Sequence, residues 1–136
     1  MKIIVCVDDS MGMLFNKRRQ SQDSVLRERI LKLTEGKHLW MNHYSAKQFD
    51  TASAPQINVD DSFLTEAVEG DYALVETEAL QTYVPWIEQI VLYRWNRKYP
   101  SDLKFDIDLS GWVLRSSEDF AGHSHEKITE EVYSRE

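Results

Sequence analysis

Three cations stand together at Lys17-Arg18-Arg19. On a loop beside a cleft such a run clamps phosphate or carboxylate, because a guanidinium fork matches two anionic oxygens at once. The same run also suits a solvated loop that balances an acidic chain. A second group is Gly122-His123-Ser124-His125-Glu126. In an extended chain His-x-His sets both rings on one side, as a metal ion requires, with Glu126 as a third ligand or an orienter. Protonated, the two imidazoles bind an anion instead. A polar hairpin loop uses the same residues with neither role. Arg18, Arg19, His123 and His125 are thus the candidate catalytic set. His123 and His125 are the candidate metal ligands, although no metal is assigned.

Tyr93-Arg94-Trp95-Asn96-Arg97-Lys98-Tyr99 interleaves bases with aromatics, a pattern that binds single-stranded nucleic acid by stacking and charge. Strand alternation gives it a plainer reading: Tyr93, Trp95 and Arg97 face one side, and Arg94, Asn96 and Lys98 the other. Asp8-Asp9 ends the first apolar run, where paired acids hold Mg²⁺ or a substrate, or simply form a turn. Cys6, within that run, reads as a small buried hydrophobe.

The whole chain limits what these groups serve. It has 136 residues, the size of one domain, which fixes 1–136 as the expected unit. Hydrophobic residues make up 42% and charged residues 29%, an ordinary globular balance. Sixteen Lys and Arg against 23 Asp and Glu leave a net charge of −7, which opposes nonspecific binding to nucleic acid and to anionic membranes. Nucleic acid is therefore not an expected partner. One cysteine excludes an internal disulfide and a cysteine-rich zinc site. The start, MKIIVCVDD, has too short an apolar run for a signal peptide, and no stretch approaches a membrane span, so the expected location is cytoplasmic.

The elements that must position these residues alternate between strand and helix patterns. Lys2–Val7 reads as a buried strand and 8–22 as a polar loop. Asp23 caps a helix with Leu26, Ile30 and Leu33 inward, closed by Gly36. Lys37–Met41 is a strand, Tyr44–Phe49 a short helix and Gln56–Val59 a strand. Asp61 caps a helix carrying Phe63, Leu64, Ala67 and Val68, stopped by Gly70. Tyr72–Val75 is a strand. A helix from Thr77, with Leu80 and Val84 inward, ends at Pro85. Ile90–Trp95 is a strand, 99–102 a turn, and Trp112–Ser117 and Glu130–Tyr133 an antiparallel pair. The pattern predicts an α/β fold: a mostly parallel twisted sheet, antiparallel C-terminal strands, and helices on both faces.

The segment SDLKFDIDLSGWVLRSSEDF, 101–120, resembles the "GDTFFPEID…W…SSEEF" stretch of dihydrofolate reductase. Thr129-Glu-Glu-Val-Tyr133 is similar to that family's last strand, Val84-Pro85 to its Leu-Pro helix end, and Thr34-Glu-Gly-Lys37 to its helix exit. Gly12, Met13 and Asn16 sit where its first mobile loop begins. The element order agrees over nearly the whole chain, so the resemblance implies a dihydrofolate reductase-like fold.

The reductase residues do not carry over. The position of the family's proton-donating acid falls at Leu26, and that of its supporting threonine at Tyr93. Arg18-Arg19 stand near the place of the loop tryptophan, and no Arg between Arg29 and Arg94 takes the role of the folate-gripping one. The Gly-Gly turn that admits the cofactor phosphates becomes Val75-Glu76, whose side chains block the approach and whose carboxylate repels phosphate. The Gly-Arg-x-Thr clamp becomes Asn42-His43-Tyr44-Ser45. NADPH is not expected, and no cofactor is predicted. Short bacterial sequences similar to this one carry the label ribonuclease Z. That enzyme's His-x-His-x-Asp-His zinc cluster has only the fragment His123-Ser-His125 here.

The expectation is a protein without reductase activity that binds a small anionic ligand in the inherited cleft, through Arg18, Arg19, Ser45, Tyr93 and Arg94. The alternatives are an interaction or structural protein with a filled cleft, and a phosphoester or RNA hydrolase using Arg18, Arg19, His123 and His125. If the final hairpin lies near the first loop, as the resemblance implies, the two histidines face the two arginines.

Overall fold

The computed structural model describes residues 1–136. Its elements in chain order are β1 (Lys2–Val7), β2 (Gly12–Phe15), β3 (Arg18–Arg19), α1 (Ser24–Leu33), β4 (Leu39–Met41), α2 (His43–Ala46), β5 (Ile57–Val59), α3 (Phe63–Glu66), β6 (Tyr72–Leu74), β7 (Gln89–Arg94), β8 (Leu103–Lys104), β9 (Val113–Phe120) and β10 (Ile128–Ser134). A seven-stranded sheet runs β5-β4-β6-β1-β7-β10-β9. Its first five strands are parallel, and β10 joins β7 and β9 antiparallel. The β9–β10 pairing skips register between Val132 and Tyr133, so Arg115 bulges out of the ladder. No helix is long and apolar enough to cross a membrane.

Two apolar layers sandwich this sheet, and β1 supplies both by alternation. Ile3, Val5 and Val7 join Phe63 and Leu64 of α3 on one side, with Leu80, Ile87 and Phe105. Ile4 joins Leu26 and Ile30 of α1 and Ala46 of α2 on the other, with Tyr93 and Trp95. Helices on both faces of a mostly parallel sheet are what the strand–helix alternation predicts. Asp23 caps α1 as expected, accepting from the backbone N–H groups of Val25 and Leu26. Gly36 turns the chain out of it at φ +77°, where a side chain is disfavoured.

Three local expectations are corrected. The predicted loop over 8–22 holds a hairpin, β2–β3, and β2 also pairs with β8 to form a second, three-stranded sheet. Asn16 and Lys17 at its tip both take positive φ, the geometry of a two-residue primed turn that an Asn start favours. The predicted helix from Thr77 is a 3-10 turn over Gln81–Trp86, running through Pro85. Its start is set from a distance, because the Asp106 carboxylate takes the N–H groups of Leu80 and Gln81. The helix expected after Asp61 shrinks to α3, which leaves Val68 outside it and 63% exposed. Asp61 accepts from the His43 backbone and ring instead of capping α3.

Candidate functional site

The loop hairpin folds back over the carboxyl ends of the parallel strands and delivers Arg19 there. Its guanidinium donates from Nε and Nη2 to the two oxygens of Glu76, at 3.0 and 3.2 Å, in a bidentate pair. Nη2 also donates to the Tyr44 carbonyl at 3.2 Å, and the guanidinium lies 4.4 Å over the Tyr44 ring. Gln48 also donates to Glu76, to the Oε1 that Arg19 Nη2 meets, at 3.1 Å. Both charged side chains are mostly covered, at 17% and 11% exposure. The space beneath, among Cys6, Leu26, Leu74, Glu76 and Trp95, measures about 20 Å³. That is room for about one water. Burial pushes the Cys6 thiol well above its usual range, and Glu76 adds to this, so the sulfur is no nucleophile.

The other expected ligand residues scatter around this point. Arg18 is exposed, and its side chain makes no ion pair or hydrogen bond. It lines an open concavity of about 210 Å³ with Phe15, Asn16, Tyr99 and Pro100. Ser45 is 1% exposed, and its hydroxyl has no partner. Tyr93 is fully buried; its hydroxyl donates to Glu130 at 2.8 Å, and its ring meets Phe120 edge-on. Burial and then Glu130 hold that phenol far above its ordinary value, so it stays a donor. Arg94 belongs to the opposite face of β7, where it donates to Glu131 at 2.7 Å.

A second polar cluster joins the start of α1 to the β9–β10 loop. His125 is buried, stacks on Trp95 at 4.6 Å between centroids, and meets Asp23 Oδ2 through Nδ1 at 2.9 Å. Its Nε2 lies 3.0 Å from Ser21 Oγ and 3.2 Å from the Tyr99 hydroxyl. Asp23 also accepts the backbone N–H groups of His123 and Ser124, both at 2.9 Å. Burial opposes its charge. The His123 N–H, the His125 ring and the Ser124 N–H together outweigh burial and hold the carboxyl far below its ordinary range. Gly122 makes room for this: a Cβ there would stand 2.6 Å from Asp23 Oδ2.

The two histidines part company. His123 is exposed while His125 points inward, and His125 meets Ser21 and Tyr99 rather than Arg18 or Arg19. No group of three or more His, Cys, Asp or Glu side chains is placed to hold a metal ion. Asp8 is buried and accepts three backbone N–H groups, from Ser10, Gly12 and Tyr99. Trp95 is 4% exposed under His125, so its ring offers no face to a base. Sequence reasoning missed Ser21, Tyr99 and the pairing of Glu76 with Arg19. The partners lie 26 to 104 residues apart, and no local spacing marks them.

The Arg19–Glu76 pair makes a measurable prediction. Arg19→Ala leaves a mostly buried carboxylate with Gln48 alone and lowers the unfolding free energy by about 1–3 kcal/mol. Arg19→Leu with Glu76→Leu restores most of that loss. Urea midpoints of the single and double variants decide the matter; a native midpoint for Arg19→Ala refutes the buried pair.

No protein-family model and no curated protein matches the chain. Among solved structures it resembles dihydrofolate reductase from Enterococcus faecalis, complexed with NADP(H) and RAB-propyl. The TM-score is 0.69 at 10% sequence identity, over 98% of this chain and 95% of that one. This establishes a dihydrofolate reductase-like fold.

Proposed function

We propose that the chain is a dihydrofolate reductase-like protein that does not reduce folate and serves as an interaction protein, its cleft filled by its own side chains. The observation that carries this reading is the bidentate Arg19–Glu76 pair closing a cleft of about 20 Å³. A nicotinamide ring and a pterin need hundreds of cubic ångströms between them. Glu76 stands where the resembled family has open glycine backbone, and its carboxylate repels a dinucleotide phosphate. Leu26, 3% exposed, supplies no proton where the resembled family keeps an acid.

A larger concavity lies elsewhere. A groove of about 620 Å³ runs among Met1, Val68, Pro85, Trp86, Ile87 and Arg135. Trp86 is 66% and Val68 63% exposed beside it. Clustered exposed apolar side chains of this kind favour a partner surface.

Titration with NADPH tests the reading. No saturable change in nicotinamide fluorescence is expected, and dihydrofolate with NADPH shows no turnover above the protein-free rate. A micromolar isotherm or measurable reduction overturns it. Trp86→Lys should leave stability within about 0.5 kcal/mol, as an exposed substitution does.

The exposed, unpaired Arg18 favours a second reading, in which a small anion sits in the concavity of about 210 Å³ beside it. A ligand at a hundredfold excess over its Kd stabilises the fold by about 2.7 kcal/mol. A panel of inorganic phosphate, nucleotides and sugar phosphates, run on the native protein and Arg18→Ala, checks this by thermal shift. The hydrolase of phosphoesters or RNA, carrying the ribonuclease label, has less support, because Arg19 is spent on Glu76 and His123 is exposed while His125 is buried.

A further inference from the structure

The cluster at the start of α1 has an order that stability alone does not require. Ser21 Oγ, the His125 ring and the Asp23 carboxylate lie in sequence, at 3.0 Å and 2.9 Å, on opposite nitrogens of one imidazole. We infer that Ser21 and His125 form an acyl-transfer centre for small carboxylic esters, with Asp23 as the positioning residue, at the edge of the filled reductase cleft. Hydroxyl, imidazole and carboxylate in this chain are the arrangement that activates a serine on unrelated folds.

The chemistry of each member fits its place. Asp23 is almost fully buried and already takes four backbone N–H groups, from Val25, Leu26, His123 and Ser124, so it is an acceptor only. A ring hydrogen therefore sits on Nδ1, and in the tautomer with that hydrogen alone Nε2 turns its lone pair to Ser21. Stacking on Trp95 fixes the ring plane. Ser21 is partly exposed, whereas His125 is buried, so the nucleophile is the member of the chain that reaches solvent. The backbone N–H groups of Ser21 and Gln22 donate to no protein acceptor. They are donors next to the nucleophile for a developing oxyanion. Tyr99 shares Nε2 at 3.2 Å and is the one competing hydroxyl.

Size sets the substrate. Ser21 borders the small cavity of about 20 Å³, whose wall includes Cys6, Leu26 and Trp95. It admits a methyl group and nothing longer, so the acyl group is acetyl and the alcohol portion stays in solvent. In the first step the bond from Ser21 Oγ to the acyl carbon forms as the bond to the leaving alkoxide breaks. The Oγ proton passes to His125 Nε2 and then to the alkoxide, which departs as the alcohol. Water next gives a proton to Nε2 and its hydroxyl to the acyl carbon. The serine oxygen takes that proton back, and the carboxylic acid leaves.

The test uses p-nitrophenyl acetate, p-nitrophenyl butyrate and diethyl p-nitrophenyl phosphate on the full chain. The native protein should release a stoichiometric burst of p-nitrophenol from the acetate and take one diethylphosphoryl group on Ser21. The acetate should exceed the butyrate by at least about 10-fold, the discrimination that extra methylenes give in a tight pocket. Ser21→Ala, at a partly exposed site, should fold normally and lose the burst by about 100-fold or more. For Asp23 the readout is the pH profile of labelling, whose shape should differ between the native protein and Asp23→Asn, because the amide no longer orients the His125 imidazole as the carboxylate does. Asp23 and Tyr99 are the ionisable groups in contact with that imidazole, and His123 and Glu126 flank it on the exposed loop. A native protein with no Ser21-dependent burst, or a label that forms equally in Ser21→Ala, overturns the inference.

Discussion

Asp23→Ala lowers the unfolding free energy by about 3–5 kcal/mol, because one carboxylate serves two ends of the chain. It caps α1 through Val25 and Leu26, and it holds the β9–β10 loop through His123, Ser124 and His125. Loss of a cap alone costs about 1 kcal/mol. The remainder comes from the buried His125 ring and two backbone N–H groups left without an acceptor. In a domain of this size the change corresponds to a melting temperature roughly 10–20 °C lower. A fall under about 1 kcal/mol in urea unfolding would show that the cap is all that matters.

Asp23 also sets an acid limit. Its folded-state pKa lies below the unfolded value of 3.8, so its contribution is complete above that pH. As pH falls toward the folded-state value, the unfolded chain takes the proton first. Stability then drops by up to about 1.4 kcal/mol per pH unit. Asp8 and Glu88 are shifted in the same direction, burial opposing the charge and backbone N–H donors overcoming it, and they steepen the same limb. Urea midpoints measured between pH 5 and pH 2 should show a shallower slope for Asp23→Asn than for the native protein.

Tyr93→Ala should be as damaging, at about 3–5 kcal/mol, the usual range for removing a fully buried aromatic ring. Its ring fills the layer shared with Leu26, Ile30 and Trp95, and its hydroxyl donates to Glu130. Tyr93→Phe separates the two contributions and costs about 1 kcal/mol, that of one hydrogen bond. A large loss for Phe and a small one for Ala would reverse this assignment of packing over bonding.

Periodicity made the central sheet legible because a parallel strand buried on both faces has to be a continuous apolar run, as Ile3-Ile4-Val5-Cys6-Val7 is. The cap at Asp23 and the stop at Gly36 were readable for a similar reason: each acts within a few residues of itself. The hairpin β2–β3 was not, since its strands are short and its turn residues, Asn16 and Lys17, carry no glycine. Likewise the 3-10 turn at Gln81 depends on Asp106, 25 residues on, which no local pattern announces. The candidate site divides along the same line. Arg19 and His125 stood out by residue type, but what each does follows from Glu76 and from Asp23 with Ser21. Those partners were brought close only by the topology. Leu26 and Tyr93, picked out by comparison of positions, are buried packing residues.

The bulge at Arg115 has a consequence for solubility. β9 is the last strand of the sheet, eight residues long, and its outer backbone groups have no neighbour. A straight edge of that length recruits further strands and starts fibrous aggregation. The register skip breaks the edge into two short arms, and Arg115, Glu118 and Asp119 lay charge along it. An incoming strand would have to match the kink and cover these exposed charges, so the sheet ends where β9 ends.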